Sequence, residues 1–178
     1  MNQAYLLLGS NIDKEHNLPA GLQLLRAQCQ VLAVSPVYET APVGLHEQPN
    51  FFNVAVLVET ELDPAGLKTQ VLAHIERQLK RVRTSDKNAP RTIDLDIILF
   101  RSAEAGAPNY PPDPDLQKFP HVAVPLADLA PNLPHPQTGE PLRVLADHLL
   151  AAATAQNHGQ PPLWPRPDMD QRLANPHR

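Results

Sequence analysis

One stretch constrains this chain more than any other: Pro90-Arg91-Thr92-Ile93-Asp94-Leu95-Asp96-Ile97-Ile98-Leu99-Phe100. Its β-branched and aliphatic content predicts a strand. Side chains alternate on a strand, so Asp94 and Asp96 share a face, about 7 Å apart at ~3.3 Å per residue. Leu95, Ile97 and Leu99 are expected on the other face, in a core. Ile98 and Phe100 follow the aspartates, so that face turns apolar further along. Two carboxylates at the polar mouth of a buried strand repel each other unless a cation lies between them. Arg91 adds a charge suited to phosphate. The plainer alternative is two solvated aspartates on an outer face.

The rest of the chain narrows this choice. Its 178 residues fit one domain with a sizeable core. A net charge of −4 gives no basic footprint for nucleic acid. The N-terminal run reads as neither a leader nor a membrane span, and the single cysteine, Cys29, fits a reducing cytoplasm. Of the 21 prolines, six precede residue 101 and fifteen follow it, so regular structure is expected mainly in the first hundred residues.

Ala4–Leu8 reads as a buried strand closed by Gly9-Ser10-Asn11, with Ser10 or Asn11 available to cap a helix. Glycine-rich dinucleotide and P-loop signatures are absent from the sequence. A helix is predicted from near Asp13 or Ala20, with Leu18, Leu22 and Leu25 as its stripe. Gln30–Val37 reads as a second strand, 38–50 as a long loop of functional type, and Phe51–Thr60 as a third strand. Asn53 is polar inside that strand. Its amide suits the edge of a heterocycle, or it is a tolerated surface residue.

Asp63 and Pro64 open a helix whose stripe is Leu67, Val71, Ile75, Leu79 and Val82. Lys80, Arg81 and Arg83 either complement its dipole or serve a ligand. Residues 84–89 form a polar loop of lid type. Val122–Pro131 suggests a short strand and one helical turn, and Leu142–Ala153 a last helix. Residues 1–153 are read as one domain and 154–178 as an irregular, proline-rich tail. The order βαββαβ predicts an α+β fold: a ferredoxin-like antiparallel sheet with helices packed on it and a loop-rich C-terminal extension.

At this point the chain resembles the 6-hydroxymethyl-7,8-dihydropterin pyrophosphokinase family, over about residues 3–150. The resemblance is carried by Leu8-Gly9-Ser10-Asn11, by Tyr38-Glu39-Thr40-Ala41-Pro42-Val43-Gly44 with Gln48-Pro49 and Phe52-Asn53, and by Arg81-x-Arg83 followed by 90–100. Pro125–Pro131 and His135-Pro136 follow. It implies diphosphate transfer from ATP to the pterin hydroxymethyl group in folate biosynthesis, with release of AMP. Asp94 and Asp96 would hold two Mg²⁺ ions. Arg81 and Arg91 would act with them in catalysis, and Glu76, Arg81, Arg83, Arg91 and Ile97 would bind ATP. Thr40, Val43, Phe51, Asn53, Asp94 and His121 would bind the pterin. The implied partners are these two small molecules alone, with no nucleic acid or membrane, for a cytoplasmic monomer.

The chain departs from the family pattern at three positions. Asp113 stands where a His is usual, Phe119 where an Arg is usual, and His121 where a stacking Phe is usual. In the loop before Pro90, Asn88 takes an often aromatic position. These departures leave a second possibility, a divergent relative that binds pterin or nucleotide with little turnover.

Overall fold

A computed structural model of the chain describes residues 1–44, 47–86, 88–105 and 110–174. In order, the elements are β1 (Asn2–Ser10), α1 (Lys14–Gln28), β2 (Gln30–Val34), β3 (Tyr38–Thr40) and β4 (Phe51–Thr60). A continuous helical stretch follows, with α2 (Pro64–Gly66), a π-helical stretch (Leu67–Leu72) and α3 (Ala73–Gln78). Then come β5 (Asp94–Arg101), α4 (Pro120–Leu129), α5 (Leu142–Gln156), β6 (Leu163–Pro165) and α6 (Pro167–Ala174).

The sheet is antiparallel, ordered β5-β1-β4-β3-β6, and β2 also pairs with β4. Alternation along β1 and β4 divides the core between two faces. Ala4, Leu6 and Leu8 pack with Phe52, Val54 and Val56 against Leu18, Leu22 and Leu25 of α1 and against Leu67, Val71 and Ile75. Tyr5 and Ala55 pack on the other face, against Val122, Leu126, Leu142 and Leu145 of α4 and α5. Each fully buried leucine contributes about 1.5–3 kcal/mol, so both helical layers are held mainly by these stripes.

Several expectations are corrected. Neither Ser10 nor Asn11 caps α1. Asp13 precedes the helix in a left-handed conformation (φ 44°) and makes no side-chain cap, and Pro19 lies inside the helix. Asp63 does cap α2, accepting from Gly66 N at 2.7 Å. The helical stretch ends at Gln78, before the predicted Val82, which is 74% exposed. Lys80 turns left-handed (φ 57°), with Lys80 N donating to Arg77 O at 3.0 Å and Arg81 N to Glu76 O at 2.9 Å. That paired closure is a Schellman turn, and it folds Arg81 back over α3.

The β5 strand starts at Asp94 rather than at residue 90. Its register with β1 slips where Tyr5 faces Leu99 and Leu6 faces Ile97, so Ile98 is an extra residue. The bulge overturns the predicted alternation beyond it. Leu99 joins Ile98 on the α4–α5 face, while Phe100 packs on the α1 face. Residues 38–40 are strand rather than loop, and β2 stops at Val34. The short strand predicted at the start of 122–131 is instead part of the helix α4, which also takes in the predicted helical turn, because Pro120 opens it and its apolar residues are buried on the sheet. The expected irregular tail carries the end of α5, strand β6 and helix α6, whose Met169 and Leu173 are buried.

Candidate active site

The site grows from one row across the sheet. Gly9 of β1 lies opposite Asn53 of β4 on one side and Asp94 of β5 on the other. The next row on the same face is Ala55–Leu7–Asp96. Strands lie about 4.8 Å apart, so Asn53 and Asp94 stand roughly 10 Å from each other with a bare glycine between them. A Cβ at Gly9 would lie 3.2 Å from Asn53 Oδ1. The missing side chain is what leaves the floor open.

Above that floor is a cavity of about 320 Å³, large enough for a bicyclic heterocycle. Asn53 is buried, and its Nδ2 donates to Thr40 Oγ1 at 2.8 Å. That bond fixes which way the amide points and leaves the carbonyl oxygen and one N–H for a ligand. Phe51 and Val43 line the same cavity, and the Arg91 guanidinium lies 5.7 Å from the Phe51 ring centre. Opposite them, Phe119 and His121 stack at 5.2 Å, with 25° between their planes. Burial pushes the His121 imidazole down to about 4, so it is neutral at pH 7 and suited to stacking on a ring.

A second cleft, of about 730 Å³, adjoins the first and shares Arg91, Asp94 and Asp96 with it. Glu76, Arg81 and Arg83 line its far side. Glu76 is buried and accepts from three donors: Arg81, Arg83 Nη2 at 2.7 Å and Leu95 N at 3.2 Å. Arg81 also donates to Asp94 Oδ1, and Arg91 donates to Asp94 Oδ2. Both Asp94 oxygens are thus held by guanidinium groups. The Asp96 carboxyl is pushed up to about 7, first by desolvation from the protein atoms around it and then by Asp94 and Asp113, with Arg81 opposing, although the residue itself remains exposed. Its side chain still opens onto both clefts.

The segment 9–11 ties the site together. Asn11 Nδ2 donates to Gln48 Oε1 at 2.8 Å, and Arg91 N donates to Asn11 Oδ1 at 2.8 Å. The loops after β3 and before β5 meet at the rim. Gln48 Nε2 donates to Asn88 O at 2.8 Å, and Gly44, at φ 84°, leaves room for the Asn88 amide. Leu45, His46 and Lys87 of those loops lie outside the described residues.

The model of the family described as 7,8-dihydro-6-hydroxymethylpterin-pyrophosphokinase (HPPK) matches residues 5–131. The chain belongs to this family. The pyrophosphokinase of Bacillus subtilis is 39% identical over 132 residues, covering 72% of this chain and 78% of that protein. The one from Methylorubrum extorquens is 39% identical over 137 residues, covering 75% and 85%. The folic acid synthesis protein fol1 of Schizosaccharomyces pombe is 38% identical over 150 residues, covering 82% of this chain and 20% of that longer protein. The chain thus spans about a fifth of that relative's length. A crystal structure of Plasmodium falciparum HPPK-DHPS with SDX-DHP aligns with a TM-score of 0.66 at 16% identity, covering 89% of this chain and 45% of that one. At that identity the likeness establishes the fold alone.

As a member of the HPPK family, the chain brings its expected residues together in two groups. Thr40, Val43, Phe51, Asn53, Arg91, Asp94, Asp96 and His121 line the first cleft. Glu76, Arg81, Arg83, Arg91, Asp94 and Asp96 line the second. Ile97 lines neither, because its side chain points into the core beneath α1. Arg81 does not lie on the same helix as Glu76, as expected, but just past its end. Asp113, Phe119 and His121, the three departures, all face the first cleft, so an aromatic wall remains. Beyond the expected residues, Leu7 and Gly9 form the floor and Asn11 ties its loops. The alternation of β1, which sets Leu7 and Gly9 opposite the core-facing leucines, is the sequence signal that marks them. Among the described residues, no group of three or more His, Cys, Asp or Glu forms a metal cage. A hard cation held by Asp94 and Asp96 therefore needs oxygen ligands from a substrate, as Mg²⁺ takes from phosphates.

Proposed function

We propose that the chain transfers the terminal diphosphate of ATP to the hydroxymethyl group of 6-hydroxymethyl-7,8-dihydropterin, releasing AMP. The observation that carries this reading is the junction of the two clefts at Arg91, Asp94 and Asp96. One cleft is shaped for a flat heterocycle with a hydrogen-bonding edge. The other is lined by arginines suited to a triphosphate. Transfer between them requires the reacting atoms to meet at the shared residues.

Asn53 holds the pterin edge, and the Phe119–His121 stack and Phe51 bound its ring. That places the hydroxymethyl oxygen toward the aspartates. The hydroxyl oxygen attacks the β-phosphorus of ATP and its proton passes to solvent, while the bond from that phosphorus to the oxygen shared with the α-phosphorus breaks and its electron pair leaves on AMP. Arg81 and Arg91 bind the charge that develops. Both are paired with Asp94 in this structure. Incoming phosphates compete for those guanidiniums, which frees Asp94 oxygens for a cation. Asp94 and Asp96 would hold Mg²⁺, two ions in this reading, which would supply positive charge against the triphosphate. The carboxylate pair fits this role, since a cation would offset both the desolvation that chiefly raises Asp96 and the repulsion from Asp94 and Asp113 that adds to it.

The core order β5-β1-β4-β2 supports the ferredoxin-like reading, and the chain is taken to act as a cytoplasmic monomer. The non-catalytic alternative is favoured only by Asp113, which adds a third acid beside Asp96. AMP formation from Mg-ATP separates the two. Turnover that requires the dihydropterin supports the transfer, and no AMP beyond a single enzyme equivalent overturns it. Phosphate release without pterin would instead indicate a hydrolase.

A further inference from the structure

The first cleft depends on a strand of only three residues. On one edge, β3 pairs with β4, setting Tyr38 against Asn53 and Thr40 against Phe51. Thr40 in turn fixes the Asn53 amide. The other edge of β3 would be open if the chain stopped at α5. It is closed by β6, which sets Thr40 against Leu163 and Glu39 against Trp164. The family match ends at residue 131, so this second edge is built by residues beyond it.

A polar clamp reinforces the pairing. Arg166 Nη1 donates to Glu39 Oε2 at 2.6 Å, and Lys14 Nζ donates to Glu39 Oε1 at 3.1 Å. The two cations flank the Phe52 ring, at 4.4 Å and 4.2 Å from its centre. Arg166 N also donates to Val37 O at 2.8 Å, and Val37 N donates to Asp170 Oδ1 at 2.7 Å. Leu163 is buried on the α4–α5 face, and Met169 and Leu173 on the α1 face. The segment therefore grips both faces around the sheet edge. Behind the first cleft, a cavity of about 250 Å³ has Trp164 on its wall and shares Thr40, Val43, Phe119 and His121 with the cleft.

We propose that Arg166 and β6 position the pterin pocket: by clamping Glu39 they hold β3, and through Thr40 they hold the Asn53 amide in its binding orientation. This inference rests on the reading of the first cleft as the pterin site. Arg166 lines neither cleft and is a positioning residue. Releasing it should cost pterin affinity and leave the second cleft alone, because that cleft is built from the π-helical stretch, α3, β5 and the loop before β5.

The test uses the full chain. Trp164 is its single tryptophan and is 42% exposed yet paired in β6, so its emission anisotropy reads how firmly β6 is held. In Arg166→Met the anisotropy should fall, and KM for the dihydropterin should rise about five- to tenfold. KM for ATP and kcat should stay within about twofold, since only uniform binding of one substrate is lost. Arg166→Lys keeps the charge and should restore most of both readouts. Three results overturn the proposal: unchanged anisotropy, a fall in anisotropy with unchanged pterin KM, or equal changes in both KM values and kcat. Asn53→Ala, run in parallel, isolates the premise. If that variant leaves pterin KM unchanged, the pocket reading fails. If it raises KM while Arg166→Met does not, only the clamp fails.

Discussion

The two clefts meet at Arg91, Asp94 and Asp96 but are built in opposite ways. The pterin-side cleft is set by strands. Asn53, Gly9 and Thr40 are fixed by β-pairing, and a bond between two neutral groups, Asn53 and Thr40, orients the amide and leaves its other edge toward the cavity. The phosphate-side cleft is set by a helix end and a loop. Its arginines pair with the protein's own carboxylates, Glu76 and Asp94, and Arg91 Nε also donates to Ala89 O at 3.2 Å. A heterocycle edge offers directional donors and acceptors, so its partner gains from being fixed in advance. A triphosphate offers charge, and buried guanidiniums cannot wait for it unpaired. The second cleft therefore holds its cations on acids, and under the proposed function a triphosphate would compete for them.

The largest effect should come where the clefts meet. Asp96→Ala removes the carboxylate that both share, and kcat for AMP formation should fall by about 10²–10³-fold or more. Pterin binding, followed by calorimetry without nucleotide, should change by no more than about threefold, because the fixed pocket does not depend on a carboxylate. Equal losses in binding and turnover would break the division between the clefts.

How much of this was legible in the sequence depended on what each segment packs against. The aspartate pair, the α1 stripe and the Asn53 face follow from alternation and helical spacing, and the structure keeps them. The Ile98 bulge does not announce itself, since Ile97-Ile98-Leu99 is apolar in either register. Val122 and Val124 suggested a strand by their branching, yet Pro120 opens a helix there and burial against the sheet decides the outcome. The helix after Asp63 looked longer than it is. Val82 continues the spacing, but Lys80 has already turned left-handed and Arg81 is needed at Glu76. In the last 25 residues proline was read as a breaker. Pro165 ends an edge strand and Pro167 opens α6, both positions where a missing N–H is tolerated. The arginine–aspartate pairing could not be read at all, since it depends on a fold-back thirteen residues from its partner.

A smaller effect should isolate the fixed cleft. Asn53→Ala removes a buried amide whose free edge faces the cavity. Losing one or two hydrogen bonds at about 1–1.5 kcal/mol each should raise pterin KM by roughly ten- to a hundredfold. KM for ATP should stay within about twofold. The Thr40 hydroxyl loses its partner as well, so the melting temperature should drop by a few degrees, about 2–4 °C. Steady-state kinetics with each substrate varied in turn measures the split. A matching rise in ATP KM would show that the row through Gly9 couples the clefts rigidly.

The smallest effect concerns proton linkage at Asp96. Its folded-state carboxyl is raised to about 7 from an ordinary value of 3.8. Below about pH 4 it is protonated in both states and costs nothing. Between about pH 4 and pH 7 the folded state keeps a proton that the unfolded chain releases, so stability falls as pH rises through that window. Above about pH 7 the folded protein carries the full cost of a desolvated carboxylate beside Asp94 and Asp113. Water in the open cleft screens that cost, so the slope should be shallow. Urea unfolding midpoints at about pH 5.5 and about pH 8 would measure it. Asp96→Asn should flatten the difference, and Mg²⁺ with a non-hydrolysable ATP analogue should stabilise the protein more at the higher pH, where the carboxylate is free to bind it. The fixed cleft offers a control, because Asn53→Ala changes no titrating group and should leave the pH slope intact. A slope that survives Asp96→Asn would move the linkage to another group and leave the shared carboxylate ionised throughout.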